Sequence, residues 1–253
     1  MVLTAGTFLV VCPLLFLAGL VDSIGGGGGL ISLPAYLLAG LPVHMGIATN
    51  KLSSACGTSL ATARFIRRGL VNLRLALPSV AAAVLGSALG ARLSLAVSET
   101  VMKYILLGVL PVAAFFVLNR QLFRDDGRHS ATADRRTVTV CIISAFVIGM
   151  YDGFYGPGTG TFLIIAFTVF ARMTVGSANA QAKVINLTSN VTSLAVFLLN
   201  GQVLIPLGLA AAVCNMAGNW IGSGLAISRG TRIVRPVILL VLLLLLAKIV
   251  IGF

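Results

Sequence analysis

Long apolar stretches, separated by short breaks of charge, glycine or proline, run the length of the chain. They cover residues 3–22, 28–40, 46–66, 75–95, 101–119, 137–152, 158–171, 178–199, 203–227 and 234–252. None shows the polar alternation of a barrel strand, and in lipid only helices and closed barrels satisfy their own backbone groups, so all ten are expected to be helical. Two runs are too short to cross a membrane. At about 1.5 Å per residue, 28–40 and 158–171 reach about 20 Å against a hydrocarbon core of about 30 Å. Each follows a glycine-rich stretch, which predicts half-helices or re-entrant segments that begin at those glycines.

The pattern repeats. An offset of 132 carries Lys51 onto Lys183, Phe65 onto Phe197, Gly69 onto Gly201, Gly86 onto Gly218 and Gly90 onto Gly222; Asp22 meets Asp152 at an offset of 130. A register that aligns a lysine and three glycines without a gap marks an internal repeat. One membrane domain over residues 1–253 is therefore expected: a first repeat over 1–119, a connecting loop over 120–136 and a second repeat over 137–253.

Composition names the solvent. Hydrophobic residues make up 58% of the chain and charged ones 9%, with a mean hydropathy of +1.06, values that belong to an integral membrane protein. The formal charge of +12 sits in loop clusters, at Arg64, Arg67, Arg68 and Arg74, then Arg120 to Arg136, then Arg229, Arg232 and Arg235. Such clusters follow the positive-inside rule and argue against nucleic acid as a partner. The Gly69 loop is basic and its counterpart at Gly201 uncharged, while the basic 229–235 loop answers the sparsely charged turn near Glu99. Equivalent loops thus lie on opposite sides, which predicts inverted-topology repeats of about five helical segments each, both termini outside, in the cytoplasmic (inner) membrane. The N-terminal run reads as a retained membrane segment, since no basic residue precedes it. Cys12, Cys56, Cys141 and Cys214 lie in apolar runs without ligand spacing and read as small core residues. No cofactor, metal site or catalytic cluster is expected, and an enzyme is disfavoured.

Asp22 and Asp152 are the two acids inside apolar segments. Each sits in a glycine-rich stretch, Gly19-Leu-Val-Asp22-Ser-Ile-Gly25 through Gly29, and Gly149-Met-Tyr-Asp152-Gly-Phe-Tyr-Gly156-Pro157-Gly158-Thr159-Gly160. An intramembrane carboxylate costs several kcal/mol and is retained for use or pairing: it either carries a proton or holds the glycine loop. The glycines Gly26, Gly27 and Gly28, with Gly158 and Thr159, open the short helices, whose free N–H groups suit an anion; close helix packing is the alternative. Lys51, Ser54 and Thr58 form one polar stripe beside Asn50, and Lys183, Asn186, Asn190 and Ser193 form its counterpart. The lysines either bind an oxyanion or, alternatively, snorkel to the interface or neutralise the aspartate of their own half. His44 reads as a loop histidine and His129 as a solvated one.

At these residues the chain resembles the TauE/SafE sulfite exporter family. The resemblance rests on Gly19-Leu-Val-Asp22 with its glycine run to Pro34, Ala48-Thr-Asn-Lys51, Arg64-Phe-Ile-Arg-Arg-Gly69, Gly156-Pro-Gly-Thr-Gly160 and Lys183-Val-Ile-Asn186-Leu-Thr-Ser-Asn190. It implies a permease that exports sulfite or organosulfonates. Gln181 and Ala182 depart from it, since hydroxyl residues are expected before Lys183. The expectation is a secondary transporter of small sulfur-containing anions, with a proton or sodium ion as candidate coupling partner and the lipid bilayer around it. A proton- or cation-coupled carrier centred on Asp22 and Asp152 is the rival, and a non-transporting membrane scaffold subunit the rival from another class. Oligomeric state is not legible.

Overall fold

The computed structural model describes residues 4–102, 104, 105, 108 and 134–229, and within them it is helical throughout. Eight helices are delimited: α1 Ala5–Gly25, α2 Gly29–Leu38, α3 Val43–Arg67, α4 Leu73–Ala96, α5 Arg135–Phe154, α6 Thr159–Val169, α7 Val175–Leu199 and α8 Ile205–Arg229. The expected segments 101–119 and 234–252, most of the connecting loop and the cluster Arg229 to Arg235 lie outside the described residues or at their edge. Five helices, α1, α4, α5, α7 and α8, are long and apolar enough to cross a bilayer. α3 has 25 residues and the length to do so, but its polar stripe makes it too hydrophilic to qualify on composition. This is a multi-pass membrane protein, and residues such as Leu9, Leu77, Leu85, Val147 and Val213 expose apolar side chains along its spans.

The order long, short, long, long occurs twice, and the two residues gained between the repeats can be located. α2 has 10 residues and α6 has 11; the following connection runs 39–42 in the first half and 170–174 in the second. Both changes fall in the short helix and its exit, where no partner fixes the register of a long span. Gly69 and Gly201, which close α3 and α7, adopt matching left-handed conformations at φ 68° and 66°, the region glycine enters without a Cβ clash.

Packing crosses between the halves. α4 lies against α5, and α1 against α8, so that each half's first helix packs on the other half's fourth. Small residues make this possible by letting backbones approach. A Cβ on Gly86 would sit 2.2 Å from the Phe146 carbonyl oxygen, and one on Gly90 would sit 1.9 Å from that of Met150. The reciprocal joint repeats the arrangement, with Gly218 facing the Phe16 carbonyl at 2.0 Å and Gly222 facing Leu20 at 2.3 Å. Repeat-related glycines thus meet repeat-related carbonyls. The buried apolar core gathers around α5, α6 and α7, with Leu163, Ile164, Phe167, Ala145 and Ile185 fully covered. Cys141 is buried as expected, whereas Cys12, Cys56 and Cys214 are only partly covered, on helix flanks rather than in the core.

Gly90→Ala and Gly218→Ala should each lower stability in detergent by about 1–3 kcal/mol through overpacking. Gly176→Ala, where an added Cβ meets nothing, should stay within about 0.5 kcal/mol. Unfolding midpoints of the three variants check the joint.

Candidate functional site

α1 ends at Gly25, and Gly26 turns the chain with φ 76° while its N–H bonds the Asp22 carbonyl at 2.8 Å. Only glycine fits there. A Cβ on Gly26 would lie 2.2 Å from the carbonyl carbon of Gly160, and one on Gly160 would lie 2.5 Å from the Gly26 Cα. The two glycine loops therefore touch backbone to backbone at the centre of the protein. The Thr161 hydroxyl donates to the Gly25 carbonyl at 2.9 Å, and the Tyr151 hydroxyl donates to that of Pro157, bracing the crossing. The glycines pack tightly, and α2 and α6 start beside this crossing.

The lysines are neither at an interface nor paired within their own halves. Lys51 and Lys183 are each 1% exposed. Lys51 Nζ lies 2.9 Å from Asp152 Oδ2, and Lys183 Nζ lies 2.6 Å from Asp22 Oδ2. Each ammonium of one half is thus neutralised by the carboxylate of the other, which corrects both bland alternatives. Lys51 also donates to Asn190 Oδ1 at 3.2 Å, and Asn190 Nδ2 donates to Asn186 Oδ1 at 3.3 Å. Asp152, 2% exposed, accepts from Ser189 at Oδ2 and has Thr159 Oγ1 2.7 Å from Oδ1. Asp22 is 15% exposed.

Between these pairs lies a cavity of about 20 Å³, room for about one water molecule. Of the residues expected from sequence, Asp22, Gly26, Gly28, Asn50, Lys51, Asp152, Thr159, Asn186 and Asn190 line it. Gly27 and Gly158 are buried in the loops without lining it, and Lys183 is next to it through Asp22. The starts of α2 and α6 both open onto this space and carry the partial positive charge of a helix N-terminus, although the Leu30, Ile31 and Thr159 N–H groups already donate to the carbonyls of Gly27, Gly28 and Gly156.

Several lining residues escaped the sequence reading. Ser32, on the first turn of α2, is 1% exposed and its hydroxyl has no hydrogen-bond partner among the described residues. Asn215 comes from α8, anchored by its Nδ2 on the Leu15 carbonyl at 3.2 Å and by Asn219 Nδ2 on its Oδ1 at 2.8 Å. Its side chain occupies the space a Cβ on Gly57 would need. Two asparagines four apart in an apolar helix were a visible signal. The departure at Gln181 is structural: its amide exchanges two hydrogen bonds with the Asn72 backbone, both 3.2 Å, away from the cavity.

Two loop readings change. Arg64 is half-buried, stacks 4.3 Å over Trp220 and donates to Ser223 Oγ at 3.2 Å, so it fastens α3 to α8. His44 is buried at the start of α3, with Nε2 on the Ser94 carbonyl and Nδ1 facing Glu99 Oε1, both 2.8 Å. Glu99 also accepts the Val43 and His44 backbone N–H groups at 2.9 and 3.1 Å, capping α3 from outside its own sequence.

A buried polar centre with paired charges, set among helices long enough to span a bilayer, suits a membrane transporter. The family model described as Sulfite exporter TauE/SafE matches residues 11–249, and the chain belongs to that family. Similar proteins include the "Probable membrane transporter protein ORF9" of Sinorhizobium sp, 38% identical over 89% of this chain and 85% of that protein. The "Probable membrane transporter protein YfcA" of Escherichia coli K12 is 35% identical over 97% and 93%. A "Probable membrane transporter protein" of Haemophilus influenzae is 34% identical over 93% and 91%. No solved structure matches.

Lys51→Met should cost about 3–5 kcal/mol by leaving Asp152 buried and unpaired. Adding Asp152→Asn should restore most of the loss and adding Asp22→Asn should not, a double-mutant cycle that distinguishes crossed pairing from pairing within a half.

Burial in the turn after α4 raises the Glu99 carboxyl, but hydrogen bonds from the His44 ring and from the His44 and Val43 N–H groups outweigh it, holding the carboxyl below its ordinary value of 4.5. A carboxyl lowered by folding contributes stability above its unfolded value and loses it as pH falls through the folded one. The contribution is therefore complete at neutral pH and disappears in acid. Glu99→Gln should remove about 1 kcal/mol at pH 7, the worth of a helix cap, and leave stability below the carboxylate range unchanged, as thermal unfolding across pH would record.

Proposed function

We propose that this protein is a secondary transporter of the cytoplasmic membrane that moves a small sulfur-containing anion, sulfite or an organosulfonate, by alternating access between two inverted halves. The observation that carries this reading is the convergence of two half-helix N-termini, Lys51, Asn50, Asn186 and Asn190 on one buried cavity. Amide, hydroxyl and ammonium donors suit the several oxygens of a sulfonate better than they suit a cation's shell. Ser32 supports it, as a buried hydroxyl with a hydrogen bond still to give. Reciprocal packing of the halves is what a two-fold axis produces, and the loop charges favour an axis in the membrane plane, with basic loops in the cytoplasm and both termini outside. One transporter domain spanning residues 1–253 follows from the same repeat. Export is the direction the family description carries.

A cavity for about one water does not admit a four-atom oxyanion, so loading requires the helices around it to part. Binding to the native state should raise the unfolding midpoint as ligand passes its Kd. In detergent, one of sulfite, thiosulfate, isethionate, sulfoacetate or taurine should stabilise the protein where chloride and sulfate do not. Ser32→Ala and Asn186→Ala, each deleting one donor, should each weaken that effect by about tenfold in concentration. Equal responses to every anion, or none, would remove the reading.

A further inference from the structure

The charges around the cavity do not suit an anion as they stand. The two ion pairs cancel, and of their four groups Asp22, Asp152 and Lys51 line the cavity while Lys183 reaches it only through Asp22. An entering anion meets two carboxylates and one ammonium. In a site largely shielded from water such an excess of like charge is barely screened.

The two carboxylates are not equivalent. Asp152 lies against Lys51, Ser189 and Thr159, the last sharing its hydroxyl with the Gly156 carbonyl. Asp22 has Lys183 as its ion-pair partner and is the more exposed. The difference is written in the repeat. At the offsets of 130 and 132, Thr159 corresponds to Gly29 and Ser189 to Gly57, so both hydroxyls that hold Asp152 are absent around Asp22. The Gly57 position is filled instead by the side chain of Asn215. The other elements packed against α1 bring no further charge to Asp22: α2 and α6 contain none, α8 faces the cavity with Asn215, and α3 faces it with Lys51. Rearranging Asp152 would disturb three side-chain contacts at once, whereas moving Asp22 releases one ammonium.

On the reading of this site as an anion carrier, we propose that anion and proton bind together, one to one, with the proton on Asp22. The proton passes from solution to the Asp22 carboxylate, and the Lys183 ammonium exchanges that carboxylate for the anion. The site then holds no net charge when empty or when loaded with a monovalent anion. That matters for a carrier, because an uncompensated charge enclosed in the membrane costs several kcal/mol. Anion and proton consequently cross in the same direction, and export occurs where the outward anion gradient exceeds the inward pull on the proton.

Isethionate is the probe, since its sulfonate carries no proton to exchange near neutral pH. Titration calorimetry of the purified protein in imidazole and in Tris, buffers of different ionisation heat, reads the protons taken up per anion. The expected result is about one proton per isethionate near pH 8, with affinity falling about tenfold per pH unit as pH rises. Asp22→Asn, a neutral mimic of the protonated acid, should bind without proton uptake and with no dependence on pH. Binding by the wild-type protein without proton uptake overturns the coupling while leaving the anion carrier intact, and so does an Asp22→Asn protein that is folded but binds nothing. Failure of isethionate, sulfite and thiosulfate to bind the wild type at any pH between about 5.5 and 8 overturns the carrier reading and the coupling with it.

Discussion

Two lysine ammonium groups enclosed in a membrane protein, each neutralised by a carboxylate from the opposite half, are the constraint on which the other contacts turn. Removing an ammonium and a carboxylate from water costs several kcal/mol per ion, and attraction repays this only at close range with the remaining donors and acceptors satisfied. Lys51 and Asp152, Lys183 and Asp22 meet that condition at 2.9 and 2.6 Å. Neither half is electrostatically complete alone. The first would hold Lys51 and Asp22 without their partners, and the second Lys183 and Asp152. Association of the halves is therefore a condition for burying either pair, and the hydroxyls and amides of Ser189, Thr159 and Asn190 are placed where the pairs would otherwise be left partly unsatisfied.

Such short ion pairs demand that the halves approach closely, and glycine supplies the approach. Lipid tails are as apolar as leucine, so burial alone gives little drive for helices to associate in a bilayer, and contact between backbones has to contribute. The joints of α4 with α5 at Gly86 and Gly90, and of α8 with α1 at Gly218 and Gly222, bring helix axes to distances no side chain would allow. At the centre Gly26 and Gly160 do the same for the loops. One residue type thus serves two purposes there, since close crossing is also what brings the starts of α2 and α6 to the same cavity. The five consecutive glycines are not equivalent, however. Gly26 meets the opposite loop, Gly28 meets Asp22 and the Ala18 carbonyl, Gly29 meets Pro157, and a Cβ on Gly27 would find only ordinary contacts.

Local features of the fold were legible and pairings across it were not. Helix bounds follow the apolar runs to within a few residues because length and hydropathy are properties of a segment, and the shortness of α2 and α6 could be read the same way. Asp22, Lys51, Asp152 and Lys183 stood out because a charge in an apolar run is costly wherever it lies. Which lysine meets which aspartate depends on how the halves are docked, and nothing within either half encodes that; the nearest acid in the same repeat was the wrong partner for both. Glu99 was hidden for a related reason. It lies 55 residues from His44, beyond any local capping pattern. Ser32 and Asn215 were overlooked for a different one: each is a neutral polar residue for which the repeat offers no second copy to draw the eye, since Phe162 and Ala83 stand at the matching positions.

Those mismatches between the halves are where function separates from architecture. A pair of identical halves would present two equal carboxylates and two equal ammonium groups, and any ligand entering between them would face the same choice on both sides. Here the second half keeps hydroxyls at Thr159 and Ser189, and the first half has glycines at the corresponding Gly29 and Gly57. The glycine positions admit other atoms: Asn215 fills the space at Gly57, and the Pro157 backbone closes on Gly29. The repeat thereby yields one aspartate set among three polar side chains and one held chiefly by a lysine. The first pair ties the halves together, because displacing it would unpair two buried charges and disturb the side chains around them. The looser pair exchanges partners at lower cost. A scaffold built from two similar halves acquires a direction of chemical change through the few positions at which those halves differ.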